Sequence, residues 1–177
     1  GIALGNGTAA IGKFLNHDRV PVCKNQAFAA YDPRNLQGMG VEYATFTQGA
    51  DHTGGHPMSL VNIDHTKPEG QVEGMKQVQV ATAVCDNIMC LFAFTALGSQ
   101  EALSGIAKTI EGAIGIECNL ERLMQIGVQT LMLERKFNTE AGFTDKDENV
   151  PEFFRKEPNA SGNVFSVAHE EMADMWK

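Results

Sequence analysis

Cys90 lies in the stretch Ala81-Thr-Ala-Val-Cys-Asp-Asn-Ile-Met-Cys-Leu-Phe-Ala-Phe, a thiol inside one of the most apolar segments of the chain, with Asp86 four positions before it. Two readings compete for it. A cluster or cofactor ligand carried on a buried helix is one; a small hydrophobe packed in the core, the usual fate of a free cysteine, is the other. Cys85 stands five positions earlier, which is neither redox Cys-x-x-Cys spacing nor a zinc-knuckle pair. Cys23 and Cys118 have no acids or histidines placed to support chemistry and read as structural. A second candidate is the stretch Asp51-His52-Thr-Gly-Gly-His56, with His65 close behind. Imidazoles four apart can seat zinc on a helix, but Gly54, Gly55 and Pro57 argue against a helix. A glycine-rich loop instead lets backbone approach a ligand closely, and a histidine beside an aspartate is oriented and tuned for proton transfer. The competing reading is an ordinary hydrogen-bonded histidine. Gly7-Thr-Ala-Ala-Ile-Gly12-Lys13 has the outline of a phosphate loop, yet Phe14 occupies the place of the magnesium-binding hydroxyl and no strand leads into it. A glycine-rich start of a helix accounts for it more simply.

The elements that would carry these residues follow from periodicity and punctuation. Residues 1–70 are rich in Gly, Pro, His and Asn, with turn signals at Asp32-Pro33, Gly54-Gly55, His56-Pro57 and Lys67-Pro68, and are expected to form a loop-rich segment with short helices. Residues 71–177 are expected to be helical. From 72 to 97 apolar residues recur without strand alternation, predicting a buried helix from Gln77 onward that includes Cys90. Ser99 is the expected cap of a second helix over 100–114, with Ala102, Leu103, Ile106, Ala107 and Ile110 on one face and Gly112 and Gly115 at its end. A third is predicted over 117–137, burying Leu120, Leu123, Met124, Gly127, Leu131 and Met132, with Asn138 and Gly142 closing it. A short final helix falls within 168–176. The fold class is mainly α.

The chain has 177 residues, 43% of them hydrophobic, enough to bury a real core. Its longest apolar run, 88–97, is half of a bilayer-spanning length, so no membrane span is expected. A net charge of −8 with fourteen dispersed basic residues argues against nucleic acid as a partner. No secretory leader is visible and the four cysteines lack disulfide spacing, which fits a reducing cytoplasm.

Taken together, Gly5-Asn-Gly-Thr-Ala-Ala-Ile-Gly, Arg19-Val-Pro-Val-Cys-Lys-Asn-Gln, Ala30-Tyr-Asp-Pro-Arg34, Gly38-Met-Gly-Val-Glu-Tyr-Ala-Thr45 and Gly49-Ala-Asp-His-Thr-Gly-Gly55 occur in one order. Further along come Asn119-Leu-Glu-Arg-Leu123 and Gly142-Phe-Thr-Asp-Lys-Asp147, with Pro151 and Phe154. In these motifs the chain resembles the aldehyde:ferredoxin oxidoreductase family of tungsten-pterin, iron–sulfur enzymes, specifically the multihelical C-terminal part. The resemblance implies that residues 1–70 line the cofactor, that residues 71–177 hold the cluster ligand and the substrate-channel region, and that His52 lies near the metal and moves a proton. It implies that Cys90 is the last ligand of a [4Fe–4S] cluster. It also implies that Asp86 and the backbone of Met89 hold a pterin. Strict counting back from Cys90 would put Cys85 in the aspartate's place; a one-residue deletion puts Asp86 there, and a carboxylate accepts pterin N–H groups where a thiol does so poorly. The family's N-terminal pterin-binding domain, with the three cysteines that complete the cluster, is not among these residues. The chain is then a fragment, one subunit of a split enzyme, or a relic of the helical shell.

The function so implied is part of an oxidoreductase converting aldehydes to carboxylic acids, with a tungsten or molybdenum bis-pterin, a [4Fe–4S] cluster and ferredoxin as electron acceptor. A homo-oligomer is compatible with it. Helix three and Phe143 to Phe154 would wall the substrate approach or simply form core. The alternatives are an aromatic acyl-thioester reductase subunit of the same superfamily, a non-catalytic helical scaffold or interaction module, and a zinc-binding protein using His52, His56 and cysteines.

Overall fold

A computed structural model describes residues 1–93 and 100–177. Two short helices, α1 (Ile2–Gly5) and α2 (Gly7–Leu15), lead into a minimal hairpin of β1 (Val22–Cys23) and β2 (Gln26–Ala27). The glycine-rich stretch at Gly7 is indeed the start of a helix. Between the strands Lys24 and Asn25 both take positive φ, 48° and 66°, the left-handed pair that a two-residue hairpin turn demands. Then follow α3 (Gln37–Thr45), a single 3-10 turn (Pro57–Ser59), and the long helices α4 (Gln71–Asp86), α5 (Gln100–Ile114) and α6 (Leu120–Glu140). A second 3-10 turn (Asp145–Asp147) and the short helices α7 (Glu152–Lys156) and α8 (His169–Asp174) complete the chain. The expected mainly helical class is what is observed, and among the described residues no helix is long and apolar enough to cross a membrane.

All nine residues of α3 are buried, which makes it the pivot of the molecule. It packs on α4 and against the C-terminal segment, where Val41, Ala44 and Met75 meet Val150, Phe154, Phe165, Val167 and Met172. Gly40 is required there, because a Cβ on it would lie 2.3 Å from the Phe165 ring. A helix buried end to end still needs partners for its terminal backbone groups. At the N-terminus the Gln37 N–H donates to the His65 carbonyl at 2.8 Å, and the Gln37 side chain accepts from Ser166 N–H at 2.9 Å. At the C-terminus two cations serve: Lys24 Nζ donates to the Ala44 and Phe46 carbonyls, and Arg135 to that of Thr45 at 3.1 Å. Positive charge suits that end of a helix. Arg135 also pairs with buried Glu148 at 2.5 Å.

The second layer is α4 against α6, with Val80, Ala83 and Leu131 in one cluster and Val84, Ala107, Cys118 and Leu123 in another that adds α5. Helix α5 spans the predicted residues with Ala107 as its most buried contact; the Ser99 cap lies outside the described residues. Three expectations are corrected. Helix α4 starts at Gln71 rather than Gln77 and stops at Asp86, where Asn87 turns its amide back to the Ala83 carbonyl at 2.9 Å, so Cys90 is exposed beyond the helix and not buried within it. Helix α6 runs from Leu120 to Glu140, capped by the Asn119 side chain, and continues through Asn138. Met132 faces solvent, while Leu123, Gly127 and Leu131 form the buried stripe.

Candidate functional site

Phe46 leaves the helix in extended conformation, and the chain returns over α3 as Asp51-His52-Thr53-Gly54-Gly55. Asp51 organises the turn by accepting from the His52 backbone N–H at 2.8 Å and from the Thr53 hydroxyl. Its Oδ1 lies 3.6 Å from His52 Nδ1, and the imidazole is 44% exposed against 14% for the carboxylate. His52 is thus a histidine on an irregular loop, backed by an acid and open to a ligand. Tyr31 bridges to the other imidazole, its ring 5.6 Å from that of His52 and 4.9 Å from that of His56, the latter edge-on. His56 accepts from the Met58 N–H at 3.3 Å, and burial, then the neighbouring His52 and His65, lower its pKa.

Beneath the loop lies Glu42, fully buried on α3. Its Oε2 accepts from the Gln79 amide at 2.7 Å, and the same amide nitrogen reaches Thr45 Oγ1 at 2.9 Å. Its Oε1 is buried without a partner among the described residues. Burial pushes this carboxyl well above its usual range, and the nearby Asp51 charge adds to that. Gly55 makes the contact possible: a Cβ there would meet Glu42 Oε2 at 3.0 Å. Sequence reasoning passed over Glu42, although a glutamate within Gly38–Thr45, an otherwise apolar stretch, was the available signal.

Asp86 ends α4 exposed, on the rim of a cleft of about 540 Å³ lined by Phe46, Thr47, Leu133, Glu134 and Phe137. Partial burial first, then the Glu134 and Asp51 charges, raise its pKa. The loop of His52 and the end of α4 therefore share one electrostatic neighbourhood. Met89 is half-buried, its carbonyl 3.9 Å from the Cys85 sulfur. Cys85 is packed inside, its thiol pushed up to about 11 by burial. Cys23 is likewise interior, donating to the Asn149 carbonyl at 2.9 Å and pushed up to about 12 by burial. Of the four cysteines only Cys90 is exposed.

A cubane cluster takes four thiolates. Among the described residues no three of His, Cys, Asp and Glu converge as a metal site, and Cys90 is the one exposed cysteine, with room for its sulfur to reach ligands supplied from elsewhere. Asp86 makes no ion pair among the described residues and fits as a carboxylate acceptor. Phe143 lines a second cleft, of about 490 Å³, together with Lys24, Arg135, Thr144 and Glu148. That cleft has charged walls, and Phe154 belongs instead to the core, stacked 5.1 Å from Phe28.

Comparison with known proteins fits this architecture. A family model described as "Aldehyde ferredoxin oxidoreductase, domains 2 & 3" matches residues 1–176. The tungsten-containing aldehyde ferredoxin oxidoreductase of Pyrococcus furiosus is 26% identical over 172 residues, 92% of this chain and 28% of that protein. Those of Pyrococcus horikoshii and Thermococcus kodakarensis are each 29% identical, over 150 and 148 residues, in both cases 78% of this chain and 24% of the relative. The chain spans about a quarter of the length of these relatives. Matched across nearly its whole length, the chain belongs to the aldehyde ferredoxin oxidoreductase family.

Proposed function

We propose that this chain is the helical portion of a tungsten-pterin oxidoreductase that converts aldehydes to carboxylic acids and delivers electrons to ferredoxin. The family match over residues 1–176 carries the reading. When bound, a tungsten bis-pterin supplies the oxo-transfer and redox chemistry and a [4Fe–4S] cluster the outlet for electrons. The chain's own residues have narrower tasks. His52, half-open and backed by Asp51, takes up and releases one of the two protons set free, with two electrons, when water and an aldehyde become an acid. Cys90 gives the cluster one thiolate from its exposed position after α4. Asp86 accepts pterin N–H groups, and the Met89 backbone completes the hold. The remaining cluster cysteines and most of the pterin bed belong to an N-terminal domain or subunit.

The test is aldehyde oxidation by the intact native protein with ferredoxin as acceptor, comparing wild type with His52→Ala and His52→Gln. Both variants should lose turnover by about 10²-fold or more, in line with general acid–base catalysis, while keeping metal content and thermal stability. Unchanged turnover in both would remove His52 from the chemistry.

A further inference from the structure

Glu42 is anomalous in a way that neither core packing nor the proposed chemistry explains. A fully buried carboxyl normally has both oxygens satisfied, and an orphaned one calls for a specific cause. Here Oε2 is held by Gln79, and Oε1 has no partner among the described residues. Gly55, on which a Cβ would lie 3.0 Å from Oε2, belongs to the same five-residue loop as Asp51 and His52. Three elements therefore meet at this side chain: α3, which bears it, α4, which supplies Gln79, and the loop, which lies on top.

We propose that Glu42 is a positioning residue for His52: its carboxyl, wedged under Gly55 and near Asp51, decides whether the Asp51–Gly55 loop stays seated on α3. The functional meaning rests on the reading of His52 as the proton-carrying residue. With the carboxyl neutral, the loop packs against an uncharged group. With the carboxyl ionised, a buried anion faces Asp51, and the least costly relief is for the loop to lift and admit water. The groups that face Glu42 are few. Asp51 on the loop opposes its ionisation, Lys24 on the hairpin favours it, and Gln79 on α4 is neutral and favours it by donating a hydrogen bond. Tyr43, its neighbour on α3, is itself held neutral by burial. Lys24 is engaged with the carbonyls at the end of α3 and so is not free to follow the loop.

Hydrogen exchange of the Asp51–Gly55 amides, read by mass spectrometry in the intact native protein with pH raised across the range in which it stays folded, tests this. After correction for intrinsic exchange, loop opening in the wild type should rise about tenfold or more, the effect of one pKa unit of coupling. Glu42→Gln should make it independent of pH, and Asp51→Asn, which removes the opposing charge, should flatten it. Glu42→Leu gives a second neutral side chain should the amide disturb packing. Equal pH dependence of loop exchange in wild type and both neutral variants overturns the proposal. If the exchange difference is present but His52→Ala turns over normally, the reading of His52 fails and the role of Glu42 as the loop's seat is retained. If exchange is the same in all while His52→Ala is inactive, the reverse holds.

Discussion

Gly127 on α6 faces Val80 on α4 so closely that a Cβ on it would lie 2.4 Å from the Val80 carbonyl oxygen and 2.9 Å from a Val84 methyl. The contact sets the spacing of the two longest described helices, and with it the position of Asp86 at the end of α4. The oxygen is backbone within a helix and cannot yield as a flexible side chain does. Gly127→Ala should therefore destabilise the protein by about 1–3 kcal/mol, the range for overpacking, despite alanine's better helix propensity. Chemical denaturation measures it; an unchanged or higher midpoint would show that the helices can separate without cost.

The cysteines should divide sharply in reactivity. Only the thiolate reacts, and only where reagent reaches it. Cys23 and Cys85 are buried, with thiols pushed up to about 12 and about 11, and Cys118 is buried as well. In the metal-free folded protein, Cys90 should be alkylated first and alone, as located by peptide mass spectrometry. Alkylation of Cys23 before Cys90 would contradict the placement of both.

Glu42 should leave a mark on the pH dependence of stability. Its folded pKa is raised, so between the ordinary glutamate value of about 4.3 and the folded value the native state holds a proton that the unfolded chain has released. Stability from this group is full below that ordinary value and falls as pH rises, by up to about 1.4 kcal/mol per pH unit. His56, with its lowered pKa, works in the opposite sense: its stabilisation is present above the ordinary histidine value and is lost as pH falls through the folded one. Glu42→Gln isolates the first effect. The variant should gain on wild type progressively as pH rises in thermal melts; parallel curves would contradict the assignment.

How much of this was legible in sequence varies by element. Helix α5 was readable because Ile106, Ala107 and Ile110 repeat at helical spacing and pack as they repeat. The beginning of α4 was hidden because Gln71 and Gln79, fully buried, occupy core positions where apolar side chains would otherwise mark the face; their hydrogen bonds to Asp64, Lys67, Glu42 and Thr45 permit it. Its end was hidden for the opposite reason: the apolar run continues past Asp86, and what stops the helix is the Asn87 side chain bonding Ala83 and, at 2.8 Å, Thr130 on α6. Tertiary partners decided both ends. At the site, the loop conformation around His52 followed from its glycines. Glu42 beneath it and Tyr31 beside it come from other segments, brought there only by the fold.

The most direct test of the central claim is the metal content of the intact native protein that carries this chain, isolated without oxygen, in wild type and Cys90→Ala. The account predicts tungsten or molybdenum with about four irons per chain in the wild type, and loss of the iron in a variant that remains folded. Native protein with neither metal, or with full iron retained in Cys90→Ala, would contradict it.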